Sequence, residues 1–121
     1  MHETKDPQIT DWLSQFETIK KSMLEIDPFR KGTILELYNI CGKLNCRCKK
    51  DKKYRHGPYH SWSSKKKGKT VTINVPKNLL ATSAQFIANA KTLDLKIAQL
   101  ADLSDKIIRR KIELVRKIQK N

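Results

Sequence analysis

The chain lacks the residue patterns on which secreted and membrane proteins depend. It has only three cysteines in 121 residues, an odd number that disfavours a disulfide framework. No stretch approaches the roughly 18 consecutive apolar residues of a membrane span. The first ten residues show no charged-then-apolar run of a secretory signal. We therefore expect a cytoplasmic protein.

Acidic residues are almost missing where the chain is most basic. Residues 43–69 hold eleven lysines or arginines and one acid, Asp51, which gives a local charge of +10. Residues 1–42 sum to −2 and residues 70–121 to +6. No acid is spaced to orient a histidine beside a cysteine, and there is no glycine-rich phosphate loop or carboxylate cluster for magnesium. We expect no enzymatic activity.

The concentrated positive charge favours a polyanionic partner, because it creates a local field that attracts phosphate backbones. A solvated, disordered lysine-rich loop is the alternative, but the interleaved aromatic and cysteine residues disfavour disorder. Seven cations at residues 106–120 form a second basic region. The predicted nucleic-acid-binding residues are Lys43, Arg47, Lys49, Lys50, Lys52, Lys53, Tyr54, Arg55, Lys65, Lys66, Lys67, Lys69, Arg109, Arg110 and Lys111.

Two helical regions flank the basic stretch. Asp6-Pro7 is typical of an N-cap and first helical position, and apolar residues then recur at steps of three and four up to Ile26. Asp27-Pro28 ends this predicted helix. Residues 77–121 predict one long helix, or two helices joined near Leu103, with a possible kink at Thr82-Ser83-Ala84. The apolar pattern fits both an intramolecular helical hairpin with the first helix and an intermolecular coiled coil.

Between the helices, the sequence predicts three antiparallel strands. Residues 33–40 are rich in β-branched and aromatic residues, residues 59–63 form a short second run, and residues 69–75 alternate between apolar and polar. Lys65, Lys66 and Lys67 are placed at the tip of a hairpin between the second and third strands. The expected class is α+β, with segments 1–31 (amphipathic helix), 32–76 (zinc-ribbon-like basic module) and 77–121 (basic helical region) in one compact domain.

The cysteines lie at the front edge of the basic stretch. Cys41, Cys46 and Cys48, followed by His56, offer the thiolates and imidazole that suit a closed tetrahedral zinc site. His60 competes with His56 for the fourth position. The other interpretation has reduced cysteines that pack the sheet as small apolar residues. A closed site is structural, because it leaves no coordination position for a reacting water.

The aromatic residues of the module have two interpretations. Tyr54, Tyr59 and Trp62 can stack on bases, as aromatic residues do in single-strand binders, or pack between sheet and helices. We expect Trp62 in the core and Tyr54 on the surface. The dominance of lysine indicates contacts to the phosphate backbone rather than base-specific recognition.

Four short pieces carry a family resemblance: Cys41-Gly42-Lys43, Cys46-Arg47-Cys48, His56-Gly57-Pro58-Tyr59 and Val75-Pro76-Lys77. This pattern resembles an uncharacterised family of small prokaryotic proteins that accompany transposases and other mobile-element genes. The resemblance implies that the cysteines and His56 belong to one unit, in a setting of DNA mobility or defence. It implies no defined activity.

Together these features predict a non-enzymatic nucleic-acid-binding accessory protein with a zinc-stabilised β-module. The expected partners are DNA or RNA, a larger transposase- or nuclease-type protein, and a second copy through the C-terminal helix, with no membrane. The alternative is an adaptor or inhibitor whose basic surface binds an acidic protein.

Overall fold

The fold consists of two helices and a three-stranded sheet between them in sequence. A computed structural model of the chain describes residues 6–120, and residues 1–5 and residue 121 lie outside the described part. The main elements are α1 (Pro7–Ser22), β1 (Thr33–Asn39), β2 (His56–Lys66), β3 (Lys69–Val75) and α2 (Leu80–Lys120). The predicted α+β class is confirmed. Residues 28–90 form one compact unit, and residues 6–27 with residues 91–120 form another.

Helix α1 begins where its capping residues predict. The carboxylate of Asp6 accepts a hydrogen bond from the N–H of Ile9 at 3.2 Å, which satisfies one of the free donors of the first turn. The regular helix ends at Ser22, earlier than the predicted Ile26, and continues as a 3₁₀ turn, Met23–Glu25. The chain tightens in this last turn before the Asp-Pro step that stops it.

The helical unit pairs α1 with the later part of α2 in antiparallel orientation. The guanidinium of Arg110 donates to the carboxylate of Asp6 at 3.1 Å, and Lys96 Nζ donates to Ser22 Oγ at 2.6 Å. Ile9 and Leu103 are buried in this unit. The intramolecular pairing of the two helices, which was one of two interpretations of the apolar pattern, is therefore present.

Helix α2 is continuous over 41 residues, so the single long helix, one of the two predicted alternatives, is present, and there is no junction near Leu103. Serines at the positions considered for a kink and for a junction bond within the helix: Ser83 Oγ donates to the carbonyl of Leu79 at 2.8 Å, and Ser104 Oγ to that of Leu100 at 2.9 Å. Each serine hydroxyl therefore has a hydrogen-bond partner four residues earlier in the helix.

The sheet is antiparallel in the order β1-β2-β3, with β2 in the centre. Strand β2 runs over His56–Lys66 and is longer than the predicted run of residues 59–63. The turn to β3 contains only Lys67 and Gly68, with φ of 52° and 78°, the left-handed pair of a tight hairpin. Lys65 and Lys66 therefore lie in β2, and only Lys67 lies at the tip.

One face of the sheet is covered by the start of α2. Trp62 is 4% exposed and meets the ring of Phe86 edge-on, with 6.2 Å between the centroids. The Arg30 guanidinium lies 4.7 Å from the Trp62 ring centroid and donates to the carbonyls of Trp62 and Val71. The prediction that Trp62 belongs to the core is confirmed.

Candidate metal centre

The connection between β1 and β2 carries all three cysteines. It contains two short 3₁₀ turns, Arg47–Lys49 and Lys52–Tyr54, and the second is capped by Asp51, whose carboxylate accepts from the N–H of Lys53 at 3.3 Å. The connection ends at His56, which is the first residue of β2. The imidazole of His56 therefore lies next to the thiols at the point where the chain enters the sheet again.

The side chains of Cys41, Cys46, Cys48 and His56 converge, with their sulfur and ring-nitrogen atoms all within 4.8 Å of one another. The Sγ atoms of Cys48 and Cys41 are 3.7 Å apart, and Cys46 Sγ lies 3.1 Å from His56 Nε2. Ligand atoms on a tetrahedral zinc are separated by roughly 3.5–3.8 Å, given bonds of about 2.3 Å to sulfur and 2.0 Å to nitrogen. The four side chains are therefore compatible with a metal site.

The three thiols have different environments. Hydrogen bonding from the backbone of Cys48 and from the side chain of His56 lowers the pKa of Cys46 to about 6. Burial raises the pKa of the Cys48 thiol, although its sulfur accepts a hydrogen bond from the N–H of Cys41 at 3.3 Å. Metal ligation requires thiolates, and Cys46 is more readily ionised at neutral pH than Cys48.

The structure brings His56 rather than His60 to the cysteines. His60 lies further along β2, with Glu36 and Val75 as its cross-strand partners. The choice depends on an irregularity in the sheet, where the pairing shifts between Leu37 and Asn39 and sets His56 opposite Asn39. The four-residue set without His60 matches the primary sequence-based prediction.

Gly57, next to His56, is required by the same irregularity. Its φ is +140°, and a Cβ there would lie 2.7 Å from the carbonyl oxygen of Leu37. Any other residue would displace β1 from β2 beside the thiol cluster. The glycine of the His-Gly-Pro-Tyr motif therefore helps to hold His56 beside the thiols.

The loop around the cluster exposes every one of its cations. All of its lysine and arginine side chains are exposed, and no ion pair within residues 6–120 neutralises them. These residues are Lys43, Arg47, Lys49, Lys50, Lys52, Lys53 and Arg55. The predicted exposure of Tyr54 is confirmed at 41%, with the Arg47 and Lys53 charges 5.7 and 5.1 Å from its ring centroid.

The other predicted phosphate contacts lie outside this loop. Lys65, Lys66, Lys67 and Lys69 are exposed on the β2–β3 hairpin. On α2, Lys111 is exposed, whereas Arg109 pairs with Asp105 and Arg110 lies between two carboxylates. These two guanidinium groups therefore already have acidic partners within the chain, and the pairing with Asp6 could not be seen from local sequence.

A shallow cavity of about 370 Å³ lies at the end of the sheet where β2 begins and β3 ends. It is lined by Pro58, Tyr59, His60, Asn74, Val75, Pro76 and Lys77. Asn74 and Lys77 were not among the predicted site residues. The sequence pointed to this cavity only weakly, because Asn74 is one polar residue in an alternating strand and Lys77 ends the Val-Pro-Lys motif.

The comparisons identify a family but no function. The model of the DUF6788 family, described as a domain of unknown function, matches residues 9–85. No curated protein and no solved structure matches the chain. Among residues 6–120, no helix is both long and apolar enough to cross a bilayer.

Proposed function

This chain belongs to the DUF6788 family, and we propose that it is a non-enzymatic nucleic-acid-binding accessory protein with a zinc-stabilised β-module. One observation carries the proposal: the four converging ligand side chains and seven exposed cations occupy the same sixteen residues, 41–56. A metal held there fixes the shape of a surface that is otherwise strained by the repulsion of like charges.

Zinc fits the donor set. Three thiolates and one imidazole are typical ligands of structural zinc, and softer or harder metals prefer other sets. The loop has only Cys48 buried and contains no apolar core of its own. A structural zinc site contributes on the order of 10 kcal/mol to folding, which is enough to order such a loop.

The number of ligands supports a non-enzymatic role. Four protein ligands complete a tetrahedral zinc, so no position is left to activate water or polarise a substrate. The only carboxylate of the loop, Asp51, caps the turn at Lys53 and is not paired with a histidine. The cations are left to bind phosphate, since no carboxylate within the described residues pairs with them.

The test is the salt dependence of binding to a DNA duplex of about 20 base pairs and to its separated strands. With roughly six phosphates engaged, log K for the duplex should fall with log salt at a slope near −5. Replacing Lys49, Lys50, Lys52 and Lys53 by glutamine should reduce the slope by about three to four units and weaken binding at low salt. A Lys21→Gln variant on α1 is the single-charge control. Absence of binding to DNA and RNA by the zinc-loaded protein would overturn the proposal.

A role in mobile-element or defence systems is part of this proposal and rests on the motif resemblance alone. We expect the accessory protein to act beside a larger DNA-processing enzyme. Its test is recovery of such an enzyme with the tagged protein from the native host, in an amount that depends on intact DNA.

An adaptor function is the second candidate, and exposed apolar residues on α2 favour it. Ile108, Ile112 and Val115 are 53%, 43% and 51% exposed, at steps of four and three that place them on one helix face. An adaptor would bind one protein partner in fixed ratio after nuclease treatment. Loss of that partner on nuclease treatment would contradict the adaptor function.

A further inference from the structure

The second face of the sheet is uncharged and partly apolar in its middle part. Cross-strand pairing places Leu35, Ser61 and Asn74 side by side, and Leu37 beside Tyr59, on the face opposite to Trp62. Leu35, Leu37 and Tyr59 are 54%, 40% and 44% exposed. This open face is therefore available to a ligand that has an apolar surface of its own.

Hydroxyl groups continue the open face toward the hairpin. Ser63 and Thr72 share a hydrogen bond of 2.9 Å across the strands, and Lys65 Nζ donates to Thr70 Oγ1 at 2.8 Å. Positive charge thus begins at the hairpin end of the face, and at the other end the chain enters the basic loop. Strand β2 spans about 33 Å between these ends, at roughly 3.3 Å per residue.

The cavity at the loop end of this face combines three kinds of group. Tyr59 supplies an exposed aromatic ring, Asn74 an amide with both donors and an acceptor, and Lys77 an exposed cation. These groups are complementary to three features of a nucleotide: the flat face of the base, the hydrogen-bonding edge of the base and the phosphate.

We propose that the open face binds single-stranded nucleic acid, with one base held in the cavity against Tyr59, its edge at Asn74 and a neighbouring phosphate at Lys77. This inference rests on the proposed function and names its substrate class and a base-binding subsite. Further bases lie on Leu35 and Leu37, and the cations at both ends of β2 bind the backbone.

A duplex fits this face less well. Its bases are stacked inside, and the surface that it presents to a flat sheet is mostly phosphate and sugar. The major groove, about 12 Å wide, admits a two-stranded ribbon rather than the face of a three-stranded sheet. Leu35, Leu37 and Tyr59 would then remain uncovered. A single strand offers the unstacked bases that cover them.

The experiment compares Tyr59→Ala and Tyr59→Phe in the zinc-loaded protein. Binding of single-stranded DNA and RNA oligomers of roughly twelve nucleotides, and of the matching DNA duplex, is measured by fluorescence anisotropy. Tyr59→Ala should weaken single-strand binding by about tenfold or more, because one stacked base is lost, whereas Tyr59→Phe should bind like the native protein. Duplex binding should change little in either variant.

Two further variants separate the roles of the cavity residues. Lys77→Gln should reduce the salt slope of single-strand binding by about 0.7, as expected for the loss of one phosphate contact. Asn74→Ala should leave this slope unchanged but alter the relative affinities for oligomers that each contain only one type of base. Lys21→Gln, on α1, should leave both properties unchanged. Zinc content and circular dichroism confirm that each variant is folded.

The outcomes distinguish this inference from the proposed function. Preference for single strands with a selective loss in Tyr59→Ala supports it. If binding is lost in the variant with four loop lysines replaced by glutamine and is unchanged in Tyr59→Ala, the base-binding subsite is overturned and the proposed function stands. Absence of binding to any nucleic acid overturns both.

Discussion

The sulfur atoms of Cys41 and Cys48 lie 3.7 Å apart, the separation of two ligands on one tetrahedral zinc. The two residues are separated by a six-residue segment that contains the third thiol, Cys46. The segment folds back so that the N–H of Cys41 also donates to Cys48 Sγ. The cysteines are therefore held as a preformed group rather than as independent side chains.

We expect one zinc ion per chain, with Cys46 and His56 both required. Cys46→Ser and His56→Ala should each lose most of the bound zinc, because a three-ligand site binds far more weakly than a closed four-ligand one. Metal analysis of the purified protein measures this. His60→Ala is the matched control, since His60 lies outside the cluster, and it should retain the metal. A drop in zinc content in His60→Ala instead of His56→Ala would contradict the assigned ligand set.

Removal of zinc by a chelator should affect the two compact units differently. All four ligands lie within residues 28–90, so amide exchange should increase in residues 40–58 and at the adjoining ends of β1 and β2. The helical unit is held by contacts such as Asp6 with Arg110 and should keep its protection. Hydrogen exchange with mass spectrometry resolves the two regions, and added zinc should restore protection. Equal loss across both units would argue against this division.

Acid should destabilise the helical unit through Asp6. The hydrogen bond from Arg110 holds the pKa of Asp6 below its ordinary value, with a smaller contribution from the N–H of Ile9. Because the folded pKa is lower than the unfolded one of about 3.9, the ionised carboxylate stabilises the fold above pH 3.9 and this stabilisation is lost as the pH falls through the folded pKa.

The pH prediction is checked by thermal unfolding of Asp6→Asn from pH 7 to pH 3. Asparagine caps a helix about as well as aspartate, so the substitution removes mainly the charge pair. The variant should melt several degrees lower at pH 7, and the difference should shrink below about pH 4. Asp11→Asn, which alters an exposed carboxylate on the same helix, should show a much smaller difference. A constant difference at all pH values would show that the charge of Asp6 is not the cause.

Substitution of Gly32 should be strongly destabilising. Its φ is +122°, and a Cβ there would overlap the carbonyl oxygen of Ser63 in the neighbouring strand. Gly32→Ala should lower the free energy of unfolding by at least about 3 kcal/mol, since backbone strain and a backbone clash act together. Gly42→Ala is the control, because a Cβ at that position would meet no atom within 4 Å. Chemical denaturation measures both, and similar losses in the two variants would contradict the prediction.

Sequence alone predicted the features that depend on local signals. The N-cap at Asp6 and the whole of β3 follow from capping chemistry and strict alternation, and both are confirmed. The convergence of three cysteines with His56 follows from their closeness in the chain and the donor chemistry of zinc. The identity of the metal stays a prediction.

The remaining features depend on contacts that are distant in sequence. The choice of His56 is set by the shifted pairing opposite Asn39, and Arg110 meets Asp6 across 104 residues. The choice between one helix and two could not be made from the local pattern, and in the structure Ser83 and Ser104 both bond to carbonyls of the same continuous helix. Asn74 became a candidate only when the folded sheet placed it beside Tyr59 at one cavity.

His56 belongs both to the thiol cluster and to the pairing of β2 with β1, opposite Asn39. Occupancy of the cluster and order in the central strand are therefore thermodynamically linked. Any ligand whose affinity increases when zinc orders β2 must increase the affinity for zinc by the same factor. A nucleic acid bound across the sheet would in this way reduce the fraction of metal lost at equilibrium to competing chelators, and scarcity of zinc would weaken the binding of the nucleic acid.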